Sequence, residues 1–300
     1  LVPKTQNVPS NLPQGTVVRT PLSNTLVYAS VHCSLLEQLD ALSQIGGVCD
    51  LSYIKTPALL SRAENGKLTD AGNSMSPDIE RVMSLNPDAI LLSPFENAGY
   101  GRIGKMGIPI IECADYLETS PLGRAEWIKF FGLLYGKEVE TDSIFTEVEK
   151  NYTELRNKIG ILSSAPVVIS EWYMPGGKSY MARFFKDAGA AYPWSDNPET
   201  GSIPLSFETV FNRAGEADIW LIKSFNVSEL SYRTLQKEYA PYARFKAFRE
   251  KKIYGCDSSR CNYYEETPFR PDLLLQELAA LFHPGLFPDY RFRYYQPLSE

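Results

Sequence analysis

One pattern occurs twice in this chain. Residues 76–95 read "SPDIERVMSLNPDAILLSPF", and residues 204–225 read "PLSFETVFNRAGEADIWLIKSF". In register, Ile79-Glu80-Arg81-Val82-Met83 aligns with Phe207-Glu208-Thr209-Val210-Phe211, and Asp88-Ala89-Ile90 with Asp218-Ile219-Trp220. Each copy opens as a capped helix with apolar positions at helical spacing, then turns into an apolar run of strand character. Ser76 is the expected N-cap of the first helix, with Pro77 at its first position, and Ser206 is the expected N-cap of the second. A helix–strand unit repeated far apart in one chain calls for two α/β bodies, each with its own parallel sheet.

The intervening sequence agrees. "TLVYAS", "GGVCDL", "AILLS" and "IPIIEC" are strand runs that alternate with helical patterns up to "GRAEWIKFFGLLYGKE". Residues 138–160 then form a long, polar-rich helical pattern with Ile144, Val148, Tyr152 and Leu155 on one side, the expected rigid connector. Beyond it the alternation restarts with "APVVISEW", "SYMARFFKDAGA", "ADIWLIKSF", "KKIYGCD" and "PDLLLQELAALF". The expected division is therefore an N-terminal lobe over 1–137, a connecting helix over 138–160 and a C-terminal lobe over 161–300. Three hundred residues exceed what one ordinary core organises, which also favours two domains.

Composition narrows the function classes. The net charge is −6 and no lysine–arginine cluster stands out, so a nucleic-acid surface is not expected. No apolar run approaches the roughly 18 residues that span a bilayer. The opening "LVPKTQNVPSNLPQG" reads as an extended polar leader, and the chain is expected to be a mature or trimmed form. Cys33, Cys49 and Cys113 sit in or beside apolar segments and read as small buried residues. Cys256 and Cys261 flank the short loop "DSSR" and form a disulfide if the compartment is oxidising.

Acidic residues complement helix N-termini by about 0.3–1 kcal/mol, so either Glu80 or Glu208 alone reads as ordinary helix chemistry. As a pair they mean more. In parallel α/β bodies the helix N-termini emerge at the carboxyl ends of the strands, the edge where ligands bind.

The order of these segments resembles the class III periplasmic substrate-binding proteins of ABC importers, which carry ferric siderophores, haem and cobalamin. The resemblance rests on "TLVYASVHCSLLEQLDALSQIGGVCD", "DIERVMSLNPDAILL", "IGKMGIPIIEC" and "FETVFNRAGEADIWLI", and runs from about Thr25 to the end. It implies two Rossmann-like lobes joined by a rigid helix, with a ligand cleft between them. It also implies that a glutamate on each lobe, here Glu80 and Glu208, docks on arginines of the permease. A periplasmic monomer is the further implication, without cofactor or catalysis, lipid-anchored through a cysteine that precedes the present first residue. The chain departs from the family in writing "SPDIE" where asparagine-leucine-glutamate is commoner.

A large polar-edged ligand needs aromatic faces for contact and a few charges for orientation. Tyr53, Phe95, Trp172, Tyr173 and Phe225 follow strand ends, and Lys178, Tyr180, Trp194, Arg260 and Tyr263 lie in or beside the loops beyond them. Lys178 and Arg260 favour an anionic chelate, with a ferric siderophore ahead of cobalamin or haem. Bare zinc or manganese would need several histidine or carboxylate ligands, and the only histidines are His32 and His283. "PGGKS" lacks the first glycine of a phosphate loop, because Trp172 stands there. Two other classes stay open, a chelatase-like enzyme using His32 and a surface binding scaffold without a permease.

Overall fold

The computed structural model describes residues 1–94, 100–162, 164–170, 173–225 and 230–300, with only the backbone of Tyr173. The chain divides into two compact units, 1–117 with 124–147, and 118–123 with 148–300.

The first unit is built on a five-stranded, all-parallel sheet. Its strands are β1 (Thr25–Val27), β2 (Ile45–Val48), β3 (Thr69–Asp70), β4 (Ala89–Leu92) and β5 (Ile110–Glu112). They lie in the order β3-β2-β1-β4-β5, with Val27 opposite Val48 on one side and Leu91 on the other. Helices α1 (Ser30–Gln38), α2 (Pro57–Glu64) and α3 (Ile79–Leu85) make the connections between strands. The order reverses direction between β1 and β4, which makes that gap the topological switch point of a doubly wound sheet. β1 and β4 are wholly buried, and apolar apart from Thr25, whose hydroxyl donates to the Gln44 carbonyl, as strands covered on both faces require.

Two helices, α4 (Pro121–Tyr135) and α5 (Glu138–Ile159), carry the chain from the first unit into the second. In α5, Glu138 and Glu140 stand in the first turn and Arg156 and Lys158 in the last, each complementing the helix dipole.

The second unit repeats the plan with a smaller sheet. β6 (Val168–Ser170), β7 (Ile219–Ser224) and β8 (Ile253–Asp257) run parallel, and a short antiparallel strand, β9 (Gln296–Pro297), closes the edge beside β8. A bridge from Val167 to Ala191 extends the sheet beyond β6, so the order again reverses between β6 and β7. The helices are α6 (Tyr180–Asp187), α7 (Phe207–Ala214), α8 (Tyr232–Glu238), α9 (Lys246–Arg249), α10 (Tyr263–Glu266) and α11 (Pro271–Phe282). α11 is buried along most of its length, and its Glu277 receives the backbone N–H groups of Arg293, Tyr294 and Tyr295 at 2.6–2.7 Å. That carboxylate fixes the C-terminal tail so that β9 can pair. Burial raises the Glu277 carboxyl above its ordinary range although the amides oppose the rise.

The repeated pattern corrects one local expectation. Ser76 and Pro77 do not open α3. They pair with Gly72–Asn73 in a small hairpin, and Asp78 is the N-cap, its Oδ1 accepting the Arg81 N–H at 3.1 Å. The aspartate supplies a charged acceptor three residues before the amide it satisfies, so the helix starts at Ile79. The polar leader is also more fixed than its composition suggests. Val2–Pro3 pairs with Arg19–Thr20, and Lys4 reaches Asp88 at 2.9 Å.

Candidate functional site

The correction at Asp78 makes the two modules agree more closely. Ser206 caps α7 by accepting the Thr209 N–H at 3.2 Å, as Asp78 caps α3. Glu80 and Glu208 therefore occupy the same place, the second residue of a capped helix, and both are exposed. Each helix N-terminus leaves amide donors pointing outward, a favourable setting for an acidic side chain.

A second pair of acids is equivalent as well. Asp88 precedes β4 and accepts hydrogen bonds from the Ser23 N–H at 2.8 Å and from Lys4, just ahead of the neighbouring strand β1. Asp218 precedes β7 and accepts from the Val167 N–H at 2.8 Å and from Lys246 at 2.6 Å, just ahead of β6. Partial burial opposes their charge, yet the lysines and hydrogen bonds outweigh it and hold both carboxyls below the ordinary range. Each aspartate thus ties together the two strands at the switch point of its own sheet.

In the first unit a cavity of ≈ 330 Å³ opens at the switch point. Tyr28 follows β1 and Ser93 follows β4, and both line it, with Met75, Tyr100 and Arg102 completing the wall. Burial raises the Tyr28 phenol well above its ordinary value, and the Cys49 thiol beside it adds to the rise. Cys49 is itself pushed up to about 12, first by burial and then by Asp50. The Tyr28 hydroxyl is accordingly a hydrogen-bonding group that resists ionisation where it stands. Tyr100 donates to Glu112, and Arg102 is exposed. Sequence reasoning missed Tyr28, Met75, Tyr100 and Arg102. The signal available was the position of Tyr28 at the end of "TLVYAS", but its importance depends on strand order.

The residues expected to meet a ligand fall into three groups. Tyr53 and Phe225 are 55% and 54% exposed, and Lys178 and Arg260 are exposed as well. Lys178 is held by its backbone, its N–H donating to Glu199, while Arg260 pairs with Asp257 at 3.3 Å. By contrast Trp194 and Tyr263 are each 3% exposed, and Tyr180 is half-buried. Trp194 packs against Tyr192, Tyr263 against Tyr294 and Tyr295, and Tyr180 against Phe184 while its hydroxyl donates to Thr267. Rings so enclosed shape the walls of the second unit and leave little face for a ligand. Phe95, Trp172 and the side chain of Tyr173 lie outside the described residues.

A further cavity of ≈ 430 Å³ lies in the second unit at the carboxyl ends of β7 and β8, among Ser224, Asp257, Arg260 and Cys261. The residues after β6 and β7 at the switch point, 171–172 and 226–229, are outside the described set.

His32 is fully buried in α1, with its Nε2 2.8 Å from Asp115 Oδ1 and its ring against Phe131. Arg124 holds the other Asp115 oxygen at 3.1 Å. Burial pushes the Asp115 carboxyl up, but His32 and Arg124 more than offset it and hold it below the ordinary range. This histidine ties α1 to α4 within the first unit and presents no surface to a substrate. His283 is also buried, its Nε2 3.1 Å from the Ala188 carbonyl. Among the described residues no group of three histidine, cysteine or acidic side chains is arranged to hold a metal.

The profile of the periplasmic binding protein family matches residues 34–259. An uncharacterized lipoprotein of Methanocaldococcus jannaschii is 30% identical over 294 residues, spanning 90% of this chain and 67% of the relative. A petrobactin-binding protein of Bacillus subtilis is 26% identical over 137 residues, 45% of this chain and 42% of its own length. Among solved structures, the molybdate-bound periplasmic binding protein MolA of Haemophilus influenzae superposes with a TM-score of 0.70 at 17% identity, covering 91% of this chain and 90% of that one.

Proposed function

Because the chain belongs to the periplasmic binding protein family, we propose that it is the substrate-binding component of an ABC importer, carrying a ferric siderophore or related iron chelate. The observation that carries the reading is the matched pair Glu80 and Glu208, one per unit, each exposed at the second position of a capped helix. Charge at these points suits guanidinium groups of a permease, and the bidentate geometry of such pairs gives specificity as well as attraction. The protein acts outside the cytoplasmic membrane on a lipid anchor, a reading supported by relatives named as lipoproteins. It performs no chemistry on its cargo.

The ligand choice rests on different support. The switch-point cavity offers phenol hydroxyls and Arg102, and the second unit offers Arg260 at its cavity and the exposed Lys178, groups suited to an anionic chelate whose iron is already coordinated. Tyr53, Phe225 and, beyond the described residues, Phe95, Trp172 and Tyr173 supply aromatic faces in this reading. The petrobactin-binding relative favours a siderophore, whereas the molybdate-bound neighbour demonstrates that the fold alone does not select one.

Tryptophan fluorescence titrated with ferric siderophores, haemin, cobalamin and molybdate separates these ligands. Saturable quenching by an iron–siderophore complex, without turnover, is expected. Quenching by cobalamin or haemin alone would reassign the cargo, and metal insertion into a porphyrin would establish the enzyme class instead. The docking half is tested in cells: Glu80→Lys with Glu208→Lys should abolish uptake while leaving chelate affinity unchanged. Undiminished uptake would mean that these carboxylates do not dock.

A further inference from the structure

The turn between β8 and α10 brings two sulfurs together at the rim of the second unit's ≈ 430 Å³ cavity. Cys256 Sγ and Cys261 Sγ stand 3.7 Å apart. A disulfide bond is about 2.05 Å long, so closure is within reach of side-chain rotation about a turn that is already formed. That turn is held independently of the sulfurs. Ser258 donates its N–H and its hydroxyl to the Ser224 carbonyl at 2.9 and 3.0 Å. Ser259 donates both of its groups to Asp257 Oδ1, and the Arg260 N–H closes onto the Asp257 carbonyl at 3.0 Å. The two cysteines are therefore preorganised by the backbone, and the residues carried between them at the cavity wall are Asp257 and Arg260.

We propose that Cys256 and Cys261 are a dithiol–disulfide pair that fixes the Arg260 turn at the ligand site when oxidised. The presence of an oxidant rests on the extracytoplasmic reading above. Cys261 is half-buried and lines the cavity, whereas Cys256 is fully buried, so Cys261 is the sulfur that an external donor meets first. The neighbouring Cys261 and burial raise the Cys256 thiol strongly, with the Lys223 ammonium opposing the rise. The Cys261 thiolate attacks a small-molecule or protein disulfide, forming a mixed disulfide and releasing one thiolate. The Cys256 sulfur then displaces the second thiolate, and the two cysteine protons end on the departing thiols. The donor is reduced to two thiols, and the chain loses two hydrogens. The other three cysteines, Cys33, Cys49 and Cys113, are fully buried and take no part.

Trypsin reads the bond directly, because it cleaves after Arg260, between the two cysteines. The full chain is incubated with glutathione disulfide or with a phosphine reductant, alkylated and digested without reduction. Before alkylation the oxidised protein should be lighter than the reduced one by about 2 Da, and after digestion it should retain peptide 253–260 joined to peptide 261–291, since Arg270 is followed by proline. Cys261→Ser, a change at a partly exposed position, should remove the joined species. Recovery of both peptides separately alkylated after glutathione disulfide treatment would overturn the pair. Reduction should also weaken binding of a ferric siderophore, by about threefold or more, because hydrogen bonds alone then restrain the Arg260 turn and binding must remove the remaining freedom. Equal affinity in both states would refute the coupling to the site. A joined peptide in a protein that binds no chelate in either state would sustain the redox pair and remove the cargo reading alone.

Discussion

In the first module Val82 of α3 joins Ile90 of β4, Leu26 and Ile103 in an aliphatic core, with Met83 left 64% exposed on the outside. In the second, the residue in register with Met83 is Phe211, and it is drawn inward. Phe207 and Phe211 stack at 5.7 Å, Phe245 meets both edge-on, and Trp220 lies 5.2 Å from Phe245. A cavity of ≈ 320 Å³ remains beside this aromatic nest. The capped helix start, the exposed glutamate and the strand-pinning aspartate nevertheless recur in both, although the cap is Asp78 in one and Ser206 in the other. Packing only has to fill its own space, and many side-chain sets do that. A glutamate at a set helical position and an aspartate at a set strand start have no such freedom if their partners are backbone or another protein.

Truncating the second module's centre should have the largest effect. Trp220→Ala removes a side chain that is 2% exposed and should destabilise the protein by about 3–5 kcal/mol in a denaturant titration. A loss below 1 kcal/mol would mean that the aromatic nest is not the second unit's core. Next comes the matched pair. Phe211→Ala should lose about 1–3 kcal/mol, with part of it from the Arg244 guanidinium 4.1 Å above the ring, while Met83→Ala should stay within about 0.5 kcal/mol. Equal losses would erase the contrast between the modules.

The shared features should respond alike. Asp88→Ala and Asp218→Ala are each expected to cost about 1 kcal/mol, the value of partly solvated hydrogen bonds and ion pairs rather than buried ones. Both carboxyls are held below their ordinary range when folded. Their contribution is therefore complete above the unfolded carboxylate pKa and is lost as pH falls through the lower folded values. The double variant should show a flatter loss of stability on acidification below about pH 4. An unchanged acid limb would show that these two groups do not sense the fold. The smallest effect on stability belongs to Glu80→Lys and Glu208→Lys, within about 0.5 kcal/mol each on thermal unfolding, because both side chains are exposed. A larger loss would make them structural and weaken their reading as docking points.

Much of the architecture was legible because it is written in local periodicity. Strand runs such as "AILLS" and "ADIWLIKSF", and the 22-residue α5, carry patterns that few other structures satisfy. The first cap was misread by two residues, since Ser76 and Asp78 are both good caps and only the hairpin with Gly72–Asn73 excludes the serine. The ligand residues were less legible. Tyr53 and Trp194 look alike in sequence, each an aromatic in a loop, yet one is exposed and the other enclosed by Tyr192 and the Arg213 guanidinium.

By itself the sequence determined the repeated helix–strand unit, the paired glutamates and the alternation that builds two parallel sheets. These follow from propensity and capping, which act over a few residues. Only the tertiary structure decided the strand order β3-β2-β1-β4-β5, and with it the switch point where Tyr28, Tyr100 and Arg102 meet. It also decided that His32 is spent on Asp115. Those outcomes depend on contacts between residues distant in the chain, and such contacts form only after each sheet has assembled and buried its neighbours.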